Sequence, residues 1–562
     1  MADETRSDEK FTKRGLSRRT IVGATAWAVP AIAAVVASPA AAVSVLPGGP
    51  VYIPPVLTGV VGGGWSIATK FDAGKGLPSG TLRSATATAT AVPITVSPAK
   101  ATNVTMTISG TGFSFFRVGD NVGFSAIQSM TVTTAANGVG VVYVAIPPAG
   151  VGASSAVITA VANGSTATAT LAARTGYAYT VGGRSAQGQT ANGASLGSVS
   201  YPTPWALDEP LAQIGVGRSV VFGISGSGVL RGSGVNTYGE IGTGGNIAST
   251  LALQDSTKDD GSPFTDAARF VASQSGADQG LVIVQDTAGD WWATGQQVSN
   301  YLAIPGHVTT STVIKRFTRI GGDLPGKPVW VSLNRNDAVL IWTLDDGTVW
   351  LTGDATKFAK FAKGLPVTRG EGVVQQLLFK DGSPVTGIAK AVQADDWTLM
   401  MLAHDGRVLF SGSATASYTP GGYVDDGYVH EIQPPPGTPV EIWAHQPNSA
   451  YATSFYIKNT ANELWAVGGN NDGTLGNGTT VATQSWTRVL VDDVKDMATG
   501  AQHLVVLDNS GDVWFAGTNF ENAWGMGSGG PTKVTTPVKI TTLPPNAKAI
   551  ASTWMDATIV RY

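Results

Sequence analysis

The 562-residue sequence contains no cysteine. Disulfides, thiolate catalysis, iron–sulfur clusters and cysteine-bound zinc are thereby excluded. Charge is scarce too: Asp, Glu, Lys and Arg make up 13% of the residues, the net charge is −3, and no basic run occurs beyond the first twenty positions. Nucleic-acid binding needs clustered Lys and Arg to neutralise phosphates, so no nucleic acid is expected as a partner. Histidine is limited to His307, His404, His430, His445 and His503, a thin supply for acid–base or metal chemistry. The mixture of Ala, Leu, Glu and Lys that builds long helices is missing. Thr, Val, Ser and 71 Gly dominate instead, beside 30 Pro. Short strands and tight turns follow from such a composition, and the fold class expected is all-β.

Long apolar runs are also lacking. The stretch from Ile21 to Val36 is interrupted by Pro30 and is shorter than the ~20 residues a bilayer span needs. It follows Ser17-Arg18-Arg19-Thr20 and precedes Ala40-Ala41-Ala42, small residues suited to signal-peptidase cleavage. Paired arginines before a modest, Ala-rich core resemble a twin-arginine export signal. Residues 1–42 are therefore expected to be removed on export. The mature chain is expected to be extracellular or at the cell surface, with no membrane span and no lipidated cysteine.

Residues 43–84 are rich in Gly and Pro (Pro47-Gly48-Gly49-Pro50, Gly62-Gly63-Gly64) and read as a linker with a strand or two. Alternation takes over across 85–173, in runs such as Val104-Thr-Met-Thr-Ile, Met130-Thr-Val-Thr and Ala156-Val-Ile-Thr-Ala-Val. Turn signals separate them at Ser109-Gly110, Asn137-Gly138 and Asn163-Gly164. Several short strands at this spacing predict a β-sandwich, and its closing run resembles the end of bacterial immunoglobulin-like domains.

From residue 174 to 562 a repeat governs the sequence. A glycine is followed six residues later by another at Gly176, Gly228, Gly289, Gly347, Gly406 and Gly511, with a large apolar residue between them. At Asn462 the first glycine is replaced by Asn, which tolerates a left-handed turn. All copies but the first are preceded by an apolar strand, among them Leu340-Ile-Trp, Leu399-Met-Met-Leu and Leu504-Val-Val-Leu. Strand, turn, strand and glycine exit make a hairpin, and hairpins at this period read as propeller blades. The first copy, Gly176–Gly182, lacks its preceding strand. The last segment, Ile550 to Val560, has that strand but no second arm. Joining the two predicts a seven-bladed propeller closed by both ends of the array, without open edges.

Gly234-Val-Asn-Thr-Tyr-Gly-Glu-Ile-Gly-Thr-Gly244, Gly468-Gly-Asn-Asn-Asp-Gly-Thr-Leu-Gly-Asn-Gly478 and Gly500-Ala-Gln-His-Leu-Val-Val-Leu507 running into Gly511-Asp-Val-Trp-Phe-Ala-Gly517 resemble the regulator-of-chromosome-condensation repeats. The resemblance covers roughly 175 to 562 and fades in the copies near 290 and 350. It implies a seven-bladed propeller and, at His503, a histidine that packs within its repeat. The family's nuclear members act on a small GTPase and bind chromatin. That activity does not transfer to a chain with an export signal and no basic arm. Secreted propellers that inhibit β-lactamases and adhesive surface proteins fit the compartment better.

Candidate chemistry is sparse. His404-Asp405-Gly406 reads as an exposed turn. Gly193-Ala-Ser195-Leu-Gly197 spells a nucleophile elbow without the strand-to-helix turn that motif requires. Gly525-Met-Gly-Ser-Gly-Gly530 spells a dinucleotide fingerprint without a βαβ unit. Asp345-Asp346-Gly347, Asp425-Asp426-Gly427 and Asn470-Asn471-Asp472-Gly473 carry oxygens suited to calcium, but the same residues favour turns for local reasons. No catalytic residue, metal or cofactor is assigned. Trp292, Trp350, Trp465 and Trp514 share one repeat position and are read as blade packing. The loops leading into the apolar strands carry Arg218, Arg335, Asp395, Asp396, Trp397, His445 and Trp554. One such loop per blade puts them on one face, a candidate patch for an extracellular protein or glycan, which Tyr418, Tyr423 and Tyr428 extend. The alternative is scattered surface residues. The function expected is binding or adhesion, with a secreted enzyme inhibitor or a surface-layer protein as alternatives, and not an enzyme.

Overall fold

The computed structural model describes the chain from Val51 to Tyr562, except for segments of which the longer are 70–87, 117–126, 147–153, 192–201, 272–279, 306–310, 334–338, 366–372, 413–419, 421–425 and 446–452. The export signal expected over 1–42 lies outside the described residues. Among those residues the chain is all-β apart from short helical turns, and no helix is long and apolar enough to cross a membrane.

Two antiparallel sheets come first. One orders its strands Val51–Val61, Ser165–Arg174, Ser154–Ala162, Asn103–Ser109 and Ser129–Thr133. The other runs Ser66–Thr69, Thr88–Ser97, Val139–Ile146 and Ser114–Phe116. The Gly/Pro-rich segment thus contributes two strands to these sheets. Alternation in the sequence becomes alternation in burial: Val104, Met106 and Ile108 are buried while Asn103, Thr105 and Thr107 are exposed. Ile158 and Phe115 are buried in the same way, one from each sheet.

From Ala178 onward, the described residues form seven four-stranded antiparallel sheets. Six are contiguous in sequence. Four of their second strands, Val220–Ser225, Val339–Leu344, Thr398–Ala403 and His503–Asp508, are buried along their whole length. That burial explains their unbroken apolar runs, since a strand covered on both faces has no polar side. The turn into the third strand needs a left-handed residue. Gly347 supplies it at φ 77° and Asn462 at φ 58°, Asn being tolerated where other side chains clash.

An unforeseen device fixes these turns. Asp286 Oδ1 accepts the N–H groups of Ala288 and Asp290, both at 2.9 Å, and its Oδ2 accepts Trp292 Nε1 at 2.8 Å. Asp508 does the same for Asp512 N–H and Trp514 Nε1, each at 2.9 Å. Trp292 and Trp514 are therefore held half-buried by the acid that shapes their own hairpin, whereas Trp350 donates to Thr348 Oγ1 at 2.8 Å.

The seventh sheet draws on both ends of the array. Ala178–Gly182 lies between Thr203–Pro204 and Ala557–Arg561, and Ala549–Ser552 completes the sheet. Tyr179 pairs with Val560 and Thr180 with Ile559. Tyr562 donates its N–H to Tyr177 O at 2.9 Å and meets the Tyr179 ring edge-on at 5.4 Å. Apolar clusters each draw on two successive sheets. One joins Ile283 and Trp291 to Val331 and Trp342, and another joins Tyr179 and Val560 to Val505 and Phe515. A further cluster joins Ala178, Trp205 and Ile559 to Leu211, Ile214 and Val221.

Candidate interaction site in the central cavity

A cavity of about 310 Å³ is lined by the first strand of each of the six contiguous sheets and by Ala549–Ser552 of the seventh. The six lining strands share one irregularity. Pairing with the second strand slips by one residue just before Gln213, Arg269, Trp330, Lys390, Glu441 and Asp496. A β-bulge of this kind re-aims the side chain that follows it. These six residues, each third in its strand, consequently occupy one layer at the end where the lining strands begin.

Trp330, Lys390 and Asp496 of this layer line the cavity, together with Phe270, Trp443 and Met497. Cations and rings alternate from strand to strand. The Arg269 guanidinium lies 5.3 Å from the Trp291 ring and 5.5 Å from Trp330, and Lys390 Nζ lies 4.5 Å from Trp330 and 5.5 Å from Trp443. Each such contact contributes about 0.5–2 kcal/mol, more when desolvated. The rings are fixed in turn: Trp291 Nε1 donates to Pro328 O and Trp330 Nε1 to Ala391 O, both at 2.9 Å. Lys390 pairs with the Glu441 carboxylate. Arg269 donates from Nη2 to Val329 O at 2.8 Å, while its Nε is buried without an acceptor.

Asp496 completes the layer. Burial raises its carboxyl above the ordinary aspartate value and Glu441 adds to the rise; the Met497 N–H, Lys390 and Lys458 work against it. Gly215, on a neighbouring strand, is required by Phe270, because a Cβ there would sit 2.1 Å from the ring. The layer presents aromatic faces, cations and carboxylates side by side, a set suited to gripping another molecule. Among the described residues no three His, Asp or Glu side chains are grouped to hold a metal.

Of the residues singled out from sequence, the described ones lie outside this layer. Arg218, Arg335, Asp396, Trp397 and Trp554 fall outside the described residues, as do Tyr418, Tyr423 and Ser195. Asp395 ends its strand, paired with Thr398. His445 is corrected from an exposed binding residue to an internal one. It is 2% exposed and its Nε2 faces Gly500 O at 3.0 Å and Ala501 O at 3.3 Å, because the apolar strand pattern turns it inward. Burial lowers its pKa to about 4.

His503 is fully buried, bonded to Ser552 Oγ at 2.9 Å and stacked on Phe515. His404 is exposed in its turn. The calcium-like turns spend their oxygens locally: Asp346 Oδ1 on Thr348, Asp426 Oδ1 on Tyr428 N–H and His430, Asn470 Oδ1 on Leu475 N–H. Gly525, Met526, Gly527 and Gly530 lie outside any strand, and Ser528 and Gly529 fall outside the described residues.

Sequence reasoning missed Arg269, Trp330, Lys390, Glu441, Trp443 and Asp496.

No protein-family model matches the sequence, and no curated protein is similar to it. Solved structures are. Saccharomyces cerevisiae RCC1 (Prp20), in a structure bound to Kap60, is 12% identical over 68% of this chain and 88% of its own, with a TM-score of 0.52. Prp20p studied with its binding to Gsp1p and histones gives the same identity and TM-score over 68% and 90%. Human WBSCR16 is 15% identical over 68% and 98%, with a TM-score of 0.49. The likeness to Prp20 establishes the fold: the repeat region is a β-propeller similar to that of RCC1 (Prp20).

Proposed function

We propose that this chain is an exported protein-binding propeller whose seven sheets close into one ring, and that its partner contacts the cavity end built by Gln213, Arg269, Trp330, Lys390, Glu441 and Asp496. The observation that carries this reading is the alternation of Arg269, Trp330, Lys390 and Trp443 on successive lining strands of a cavity to which each of the seven sheets contributes a strand. Tryptophan and arginine are the residues that dominate binding energy at protein interfaces. Tyr179–Val560 pairing and the cluster joining Trp205 to Leu211 support closure of the ring. The two N-terminal sheets fit an immunoglobulin-like spacer, and the paired arginines at Arg18 and Arg19 fit release to the cell surface or beyond. The loops carrying Arg218, Arg335, Asp396, Trp397 and Trp554 form a second candidate face.

The test is affinity capture with the mature chain, Val43–Tyr562, from the extracellular and surface fractions of the producing cells. A protein partner should be recovered, and its retention should fall about tenfold or more with Trp330→Ala plus Trp443→Ala. Loss with Trp397→Ala plus Trp554→Ala instead would move the interface to those loops. Recovery of no protein, or recovery indifferent to both pairs, would refute the reading. Inhibition of a secreted hydrolase by the wild-type chain, abolished by the same substitutions, would identify the partner as an enzyme.

A further inference from the structure

Five cations gather at the cavity mouth without a carboxylate within ion-pair distance among the described residues. Lys458 pairs across strands with Glu441, and Arg561 with Ala549, which places both in the layer of Arg269, Lys390 and Asp496. The lysines then reach from sheet to sheet. Lys458 Nζ donates to Lys495 O at 2.8 Å, and Lys495 Nζ donates to Lys548 O at 3.0 Å. Lys495 is the bulge residue immediately before Asp496, and both it and Lys548 are exposed. Arg561 Nη1 donates to Leu211 O at 3.0 Å. Among the described residues, the cation of this layer that meets a carboxylate is Lys390, paired with Glu441.

We propose that this mouth, where Arg269, Lys458, Lys495, Lys548 and Arg561 lie in or beside the layer that holds Trp330, binds an acidic peptide segment of the partner. The inference rests on the protein-binding reading above and names the chemistry of what is bound. Charge complementarity requires an anion, because ammonium and guanidinium groups bonded only to carbonyl oxygens have capacity left for carboxylates. The aromatic walls accept the apolar side chains of the same segment.

Shape and surroundings favour a peptide over an extended polyanion. A cavity of about 310 Å³ admits a few side chains and excludes a duplex. The hairpin turn after Val339–Leu344, at the same end, exposes Asp345 and Asp346, carboxylates that disfavour a long polyphosphate or sulfated chain crossing that part of the rim.

The test is fluorescence anisotropy with the mature chain and a labelled peptide of about ten residues containing glutamates and one tryptophan, against a lysine peptide and a single-stranded oligothymidylate of equal length. The glutamate peptide should bind and the lysine peptide should not. Affinity should fall with rising salt and drop about tenfold or more in Lys495→Glu plus Lys548→Glu, two exposed positions whose reversal leaves packing intact. Absence of glutamate-peptide binding, equal binding by the doubly reversed chain, or equally tight binding of the oligothymidylate would overturn the proposal. Should a natural partner be lost with Trp330→Ala and Trp443→Ala yet kept by the lysine reversals, the acidic-segment proposal falls and the protein-binding reading stands.

Discussion

Removing the last strand tests how the two ends of the repeat array hold each other. A chain ending at Asp556 loses Ala557–Arg561, which lies between Ala178–Gly182 and Ala549–Ser552. Ile559 and Val560 are both fully buried, and full burial of each such side chain contributes about 1.5–3 kcal/mol. The transfer term alone is then about 3–6 kcal/mol, before the lost ladder bonds and the Tyr562–Tyr179 contact. Domain stabilities run to about 5–15 kcal/mol, so the truncated chain should lose cooperative folding of this sheet. Ile559→Ala, which keeps the backbone, should cost about 2–5 kcal/mol. Hydrogen exchange reads the effect directly: amides of Tyr179 to Val181 should lose protection in the truncated chain, and thermal unfolding should begin earlier. Unchanged protection at Tyr179 to Val181, with a melting curve that overlays the full-length chain, would refute the reasoning.

Other consequences follow from single side chains. His445 has its folded pKa lowered to about 4 by burial, against about 6.5 in an unfolded chain. The unfolded chain therefore binds the extra proton first, so stability is whole above pH 6.5 and falls by roughly 3 kcal/mol as the pH drops toward 4. Urea titrations over that range should show the loss, and His445→Gln should flatten it. Gly215→Ala forces the Phe270 ring aside and should cost about 1–3 kcal/mol, together with weakened partner binding. Asp508→Ala strips Asp512 N–H and Trp514 Nε1 of their acceptor and should cost about 1–3 kcal/mol in urea unfolding, with a changed Trp514 emission. Asp508→Asn should recover part of the loss.

The hairpins were legible because strands buried on both faces must be apolar and turns with positive φ must be Gly or Asn; Leu340-Ile-Trp342 and Asn462 state both rules in the sequence. The half-sheet at each end was legible for the same reason, since Gly176–Gly182 and Ile550–Val560 each lack what the other has. The cavity layer was not. Lys390, Glu441 and Asp496 sit about fifty residues apart, and only the shared bulge brings them into one register. Polar residues inside short strands carry no periodic mark, so nothing in the sequence distinguishes Lys390 from a solvent-facing lysine. The loop tryptophans drew attention because they stood out of register, yet Trp330 and Trp443, which line the cavity, were hidden among apolar neighbours. His445 was misplaced because a histidine at the end of a strand reads equally as the first loop residue.

The sheet shared by the two termini has a mechanical meaning. Ala178, just beyond the N-terminal sheets, is paired with Arg561, next to the last residue of the chain. Tension applied between those two points pulls adjacent partners apart and ruptures ladder bonds one after another, the zipper mode, instead of sliding all of them at once. A tether through the N-terminal sheets with a load on Tyr562 therefore peels at Ala178 first.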